Sequence, residues 1–131
     1  DDVMWKEIAK QADVAIDTAG NVPFENFEKI LPYADSFLYD IKCISADRHK
    51  KFTGKDNGII LKNFEKLIKT DKRVIVRVPV IDGFNSDDGE MKKIRDYLAD
   101  KNVETEYLKY HSMGESKKTA LKYFNVKRQR L

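Results

Sequence analysis

The sequence predicts an α/β domain, with parallel strands alternating with helices in either a doubly wound open sheet or an arc of a β/α barrel. Three observations predict it. Apolar residues switch repeatedly between helical spacing and short β-branched runs along the 131 residues. The segments between strands are long enough for parallel, right-handed crossovers. The strands also end on polar side chains in a consistent way: Asp17 and Thr18 close the first, Asp40 and Lys42 the second, and His111 the fourth, with Arg77 near the end of the third.

The chain enters on a helix, since VMWKEIAKQA (3–12) sets Trp5, Ile8, Ala9 and Ala12 at helical spacing. VAIDTAG (14–20) follows as a short strand with its exit turn. Pro23 suits the first turn of a helix that carries Phe24, Phe27, Ile30 and Leu31 on one side. SFLYDIK (36–42) is the next strand. A loop containing Gly54 and the turn signal Asn57-Gly58 leads to the helix IILKNFEKLIKT (59–70), with Ile60, Phe64, Leu67 and Ile68 on one face. RVIVRVPVI (73–81) is the strongest strand, by its β-branched content. Asp87 and Glu90 stand in capping-box spacing before a helix whose buried stripe is Met91, Ile94 and Leu98. TEYLKYH (105–111) is the last strand.

Composition bounds the function. Apolar residues make up 41% of the chain and charged residues 36%, as in a globular domain. A net charge of +3 is too small to argue for nucleic acid. No apolar stretch approaches the roughly 20 residues that span a bilayer, and the acidic start (Asp1, Asp2) does not resemble a signal peptide. With Cys43 as the one cysteine, a reducing, cytoplasmic setting is expected. Six basic residues and no acidic one lie between Lys117 and Leu131, which reads as a solvated terminus or as a basic surface for an acidic partner.

No G-x-G-x-x-G follows the first strand and no P-loop is present, so nucleotide-binding open sheets lack their usual mark. Side chains alternate across a strand, so Asp40 and Lys42 share one face with Leu38 while Phe37, Tyr39 and Ile41 take the other. Val74, Val76, Val78 and Val80 likewise leave Arg77 on the opposite face. Unpaired charges in a barrel lumen cost several kcal/mol, so these groups should meet one another or a small zwitterionic or anionic ligand. At the C-terminal rim of a β/α barrel, that is where ligand chemistry gathers.

The series DTAG (17–20), FLYDIK (37–42), H-x-x-x-T-G (49–54) with Asn57 and Asn63, RVPVIDGFN (77–85) and YLKYHSMG (107–114) resembles the radical S-adenosylmethionine activases of glycyl-radical enzymes, such as the pyruvate formate-lyase activating enzyme. The resemblance implies the last four βα units of a six-stranded partial barrel, as one fragment with a core over about 14–114 and a basic tail over 115–131. It implies S-adenosyl-L-methionine as cofactor, held by Asp40, Lys42, Arg77 and His111, the last against the adenine. It implies a monovalent cation on Asp17, Thr18, the carbonyl of Leu38, and Asp40. The family's 4Fe–4S cluster takes three thiolates from a cysteine loop that this chain does not contain.

Carried over in full, the resemblance implies reductive cleavage of S-adenosylmethionine to a 5′-deoxyadenosyl radical, which abstracts hydrogen from a glycine of the partner enzyme. Flavodoxin or ferredoxin would supply the electron. The chain by itself is expected to be inactive. Two other readings stand beside it: a non-catalytic remnant or binding module, and a barrel lyase using Lys42 as a Schiff-base amine. Lys109 and Asp82 stand where the family commonly has proline, at loop edges. His49 is expected to fix its loop or to touch the protein substrate, and Cys43 to be a small packed side chain.

Overall fold

Right-handed crossovers between strands laid down in sequential order put every helix on one side of a sheet. The computed structural model, which describes residues 2–11, 13–110 and 127–130, has this arrangement for the helices that build its core. Helix α1 (Asp2–Gln11) leads into β1 (Val14–Thr18), α2 (Phe24–Ile30) with a 3-10 turn at Leu31–Tyr33, and β2 (Ser36–Asp40). Then come α3 (Ala46–Thr53), α4 (Gly58–Leu67), β3 (Arg73–Ile81), α5 (Asp88–Ala99), β4 (Glu104–Tyr110) and β5 (Lys127–Arg130). All pairings are parallel, in the order β4-β3-β2-β1-β5. The run from β1 to β4 never reverses, as in an arc of a β/α barrel and unlike a doubly wound sheet.

The strand pattern decides which face receives the helices. Val14 and Ile16, Phe37, Tyr39 and Ile41, and Val74, Val76 and Val78 are buried with Phe27, Ile30, Phe64, Leu67, Ile94 and Leu98 from α2, α4 and α5. Tyr39 also donates its hydroxyl to the Ile60 carbonyl at 2.5 Å, so its polar end is satisfied inside the core. Gly20 makes this possible. Its φ is +76°, and a Cβ there would lie 2.0 Å from the Tyr39 oxygen, so both backbone and space demand glycine.

Two expectations are corrected. Residues between β2 and α4 include a helix, α3, rather than only a loop. Its sequence hides the usual stripe, because the side chain it buries is His49 while its aromatic residue, Phe52, is 52% exposed. The second correction concerns the basic terminal stretch. Lys127–Arg130 pairs in parallel with β1, with Arg130 in register with Asp17, so among the described residues the sheet has five strands, with β4 and β5 outermost. No helix among the described residues is long and apolar enough to cross a membrane.

Candidate functional site

The site grows from the C-terminal ends of β1 and β2 and, contrary to the expectation that Arg77 stands near its strand's end, from the middle of the longer β3, on the face away from the helices. Register places Asp40 beside Arg77 and Asp17 beside Leu38, and registered neighbours in a parallel sheet share a face. Asp17, Asp40 and Arg77 therefore converge. The Arg77 guanidinium donates through Nη2 to Asp17 and lies 3.3 Å from Asp40 Oδ1. Their side chains are 8% (Arg77), 14% (Asp17) and 22% (Asp40) exposed, so the cluster is largely out of water.

Buried charge pairs repay their desolvation only when the remaining hydrogen-bonding positions are filled. Here one is not: among the described residues, Arg77 Nε is the buried side-chain nitrogen or oxygen without a partner. Leaving a buried donor unmet costs about 1–3 kcal/mol. An acceptor brought in by a ligand would remove that cost.

Three buried asparagines hold the loops around this cluster. Asn63 Nδ2 donates to the carbonyls of Gly20 at 2.9 Å and Val22 at 2.6 Å, tying the β1–α2 loop to α4. Asn57 Nδ2 donates to Cys43 and Ile44, fixing the β2–α3 loop. Asn85 Nδ2 donates to the carbonyls of Lys42 at 2.6 Å and Pro79 at 2.8 Å, and its Oδ1 accepts from Ile81 N–H. Each amide satisfies backbone groups that a loop leaving a sheet would otherwise strand. Asn57 and Asn63 carry part of the family resemblance, but their buried clamping role needs the fold to become visible.

Glu90 is the residue that sequence reasoning assigned too little. Half of the capping box forms, with Asp87 Oδ2 accepting from Glu90 N–H at 3.2 Å. The Glu90 carboxylate turns elsewhere, accepting from Ile44 N–H at 2.6 Å, Ser45 N–H at 3.2 Å and Ser45 Oγ at 2.6 Å. Burial pushes this carboxyl up, but the bonds from Ser45 and Ile44, with Arg48 nearby, outweigh burial and hold it below the usual glutamate value. Spacing alone reads Glu90 as a helix signal, and no local pattern reveals that its partners lie 45 and 46 residues away.

Lys42 is half-buried two residues past β2, its carbonyl held by Asn85, and its ammonium makes no ion pair among the described residues. Thr18 is registered with Tyr39, on the opposite face from Asp17, and its hydroxyl accepts from Gly20 N–H at 2.9 Å. Leu38 is buried beside Asp17. His111 lies outside the described residues. His49 is buried and bonds through Nδ1 to the Lys55 carbonyl at 2.5 Å, with Thr53 Oγ1 at 3.1 Å, so it does fix its loop.

Cys43 is buried, with its Sγ 3.4 Å from the Ser45 carbonyl. Burial, and then the Glu90 carboxylate, push its thiol up to about 11. It is a packed thiol rather than a metal-ready thiolate. Among the described residues, no three His, Cys, Asp or Glu side chains are grouped to hold a metal ion.

No protein-family model matches the chain. It is 44% identical over 112 residues to the trans-4-hydroxy-L-proline dehydratase activating enzyme of Clostridioides difficile, covering 83% of the chain and 37% of that protein. It is 38% identical over 105 residues to the (2S)-3-sulfopropanediol sulfolyase activating enzyme of Bilophila wadsworthia, covering 78% and 35%. A third relative, the 4-hydroxyphenylacetate decarboxylase activating enzyme of Clostridioides difficile, is 40% identical over 110 residues, covering 82% and 35%. The chain thus spans little more than a third of the length of these relatives.

In fold, the chain is similar to the crystal structure of a domain of pyruvate-formate lyase-activating enzyme from Bacteroides vulgatus, with a TM-score of 0.73. That match has 22% sequence identity and covers 99% of this chain and 88% of the other. The homologues of this chain are the activating enzymes of glycyl-radical enzymes, and it corresponds to their C-terminal portion.

Proposed function

We propose that this chain is the cofactor-binding portion of an activase that cleaves S-adenosylmethionine reductively and abstracts hydrogen from a glycine of its partner enzyme. The observation that carries the proposal is the buried Asp17–Arg77–Asp40 cluster with Arg77 Nε unmet, at the strand ends of a chain whose relatives are named activating enzymes.

The residues present suit one end of this cofactor. S-Adenosylmethionine brings a zwitterionic amino acid and a ribose, and when bound it supplies the 5′-deoxyadenosyl radical. Arg77 Nε offers a fixed donor for an oxygen acceptor, and Lys42, two residues past Asp40, a second cation. Asp40 accepts hydrogen bonds from ammonium or hydroxyl groups, and His111 is assigned to the adenine. Asp17 and Asp40, with the main-chain carbonyls of Thr18 and Leu38, would supply the hard oxygens that a monovalent cation requires, since the Thr18 hydroxyl faces the other side of the sheet. The largely dry site strengthens each of these contacts, so the chain's part is to bind and orient.

The same residues do not fit the 4Fe–4S cluster. One buried, protonated cysteine cannot supply three thiolates, so the cluster's ligands must come from outside this chain and no step through it is assigned to these residues. Alone, the chain binds the cofactor without turning it over. Its partners are a glycyl-radical enzyme and a flavodoxin- or ferredoxin-type electron carrier, in the cytoplasm.

Titration calorimetry of the 131-residue chain with S-adenosylmethionine tests the reading. Binding is expected, and Asp40→Ala should weaken it by about tenfold or more, the loss of roughly 1.4 kcal/mol or more. No heat of binding at millimolar cofactor would overturn the reading and favour a binding module that does not use S-adenosylmethionine.

A further inference from the structure

A second concave site lies outboard of the rim, built from two stretches with no place in cofactor binding: the H-x-x-x-T-G helix and the Gly83-Phe84 turn. A cavity of about 640 Å³ opens between α3 and the β3–α5 loop, lined by Asp47, Arg48, Lys51, Phe52, Phe84 and Asp87. Its floor is a stacked pair, Phe52 on Phe84, with ring centroids 3.9 Å apart and planes 10° apart. Phe84 is buried, while Phe52 stays 52% exposed on a helix otherwise rich in charge. Stacking holds the exposed ring in one orientation, so an incoming group meets a prepared surface.

The charges around this platform are of two kinds. Arg48 is committed, donating to Asp87 and, at 3.3 Å, to the Phe84 carbonyl. Asp47 and Lys51, exposed and one helical turn apart, form no ion pair among the described residues. A half-exposed ring cannot enclose a small ligand, which sites for such molecules normally do. An anchoring side chain from a protein surface needs only such a platform, and two free opposite charges beside it set its register.

We propose that this cleft docks a loop of the protein substrate, which lays an apolar side chain on Phe52 and meets Lys51 and Asp47 with an acidic and a basic group. The proposal rests on the activase reading and names where its protein partner binds. The position favours that partner: Phe84 precedes Asn85, whose amide holds the Lys42 carbonyl, so a loop anchored here runs beside the ends of β2 and β3.

The test uses the chain and four probe proteins, the enzymes that relatives are named for activating: trans-4-hydroxy-L-proline dehydratase, (2S)-3-sulfopropanediol sulfolyase, 4-hydroxyphenylacetate decarboxylase and choline trimethylamine-lyase. Biolayer interferometry should detect binding to at least one. Phe52→Ser should weaken it about tenfold or more, and Lys51→Glu severalfold with a reduced salt dependence, while S-adenosylmethionine binding is unchanged. Binding to none of the four overturns the proposal, as does binding indifferent to Phe52→Ser, or self-association of the chain that Phe52→Ser abolishes. A chain that binds a probe through Phe52 but not S-adenosylmethionine overturns the activase reading instead and leaves the docking site standing.

Discussion

Arg73 and Arg77 stand four residues apart on β3 and on the same face, yet they live in different physical worlds. Arg73, at the strand's start, forms a two-pronged pair with Glu104, at 2.7 and 2.9 Å, with both side chains more than half exposed. Arg77, at the strand's midpoint and level with the last residue of β2, is 8% exposed between two carboxylates and keeps one donor unmet. By geometry the first pair is the better made. By energy the second matters more, because water screens the first and has been removed from the second. A well-formed ion pair at the sheet's opening end is surface chemistry, and a less complete one deeper along the strands marks a site.

The comparison can be broken from its heavy end first. Arg77→Ala leaves Asp17 and Asp40 facing each other with little water, and should cost about 3–5 kcal/mol in urea unfolding. A loss below about 1 kcal/mol would mean that the cluster is effectively solvated.

Glu90 sharpens the comparison by separating burial from pairing, since its carboxylate is buried as Arg77 is but its bonding partners are mainly N–H and O–H groups. Glu90→Gln should cost about 1–3 kcal/mol, because one amide oxygen cannot meet three donors. The pH dependence follows from the depressed carboxyl. Glu90's contribution is complete above the ordinary glutamate value of 4.5 and shrinks as pH falls from there through the lower folded value. The wild type should therefore lose more stability than Glu90→Gln between pH 5 and about pH 3, and parallel curves would show that the carboxylate is not ionised by preference.

Arg73→Ala is the light end. It should change stability by about 0–1 kcal/mol, and less in high salt. A larger loss would show that the pair braces β4 against β3 rather than decorating the edge.

Much of this was legible in the chain. Alternation in FLYDIK and VIVRVPV placed Phe37, Tyr39 and the valines on one face and Leu38, Asp40 and Arg77 on the other, as observed. That works because a strand's period of two leaves little freedom once one face is buried. α3 was not legible, since it buries a histidine and exposes a phenylalanine, the reverse of the pattern that marks a helix. β5 was hidden for a related reason: KRQR has no apolar alternation, and only the available edge of β1 gives it partners.

Residue types and their spacing determined the alternation of β1 to β4 with α1, α2, α4 and α5 and the set of charges on one face of the strands, because periodicity and crossover handedness are local rules. Only the tertiary structure decided that Arg77 sits between Asp17 and Asp40, that Glu90 leaves its capping box for a loop 45 residues away, and that Phe52 lies on Phe84. Those contacts join segments far apart in sequence. A buried group's choice of partner depends on which others have lost water at the same place, and folding sets that.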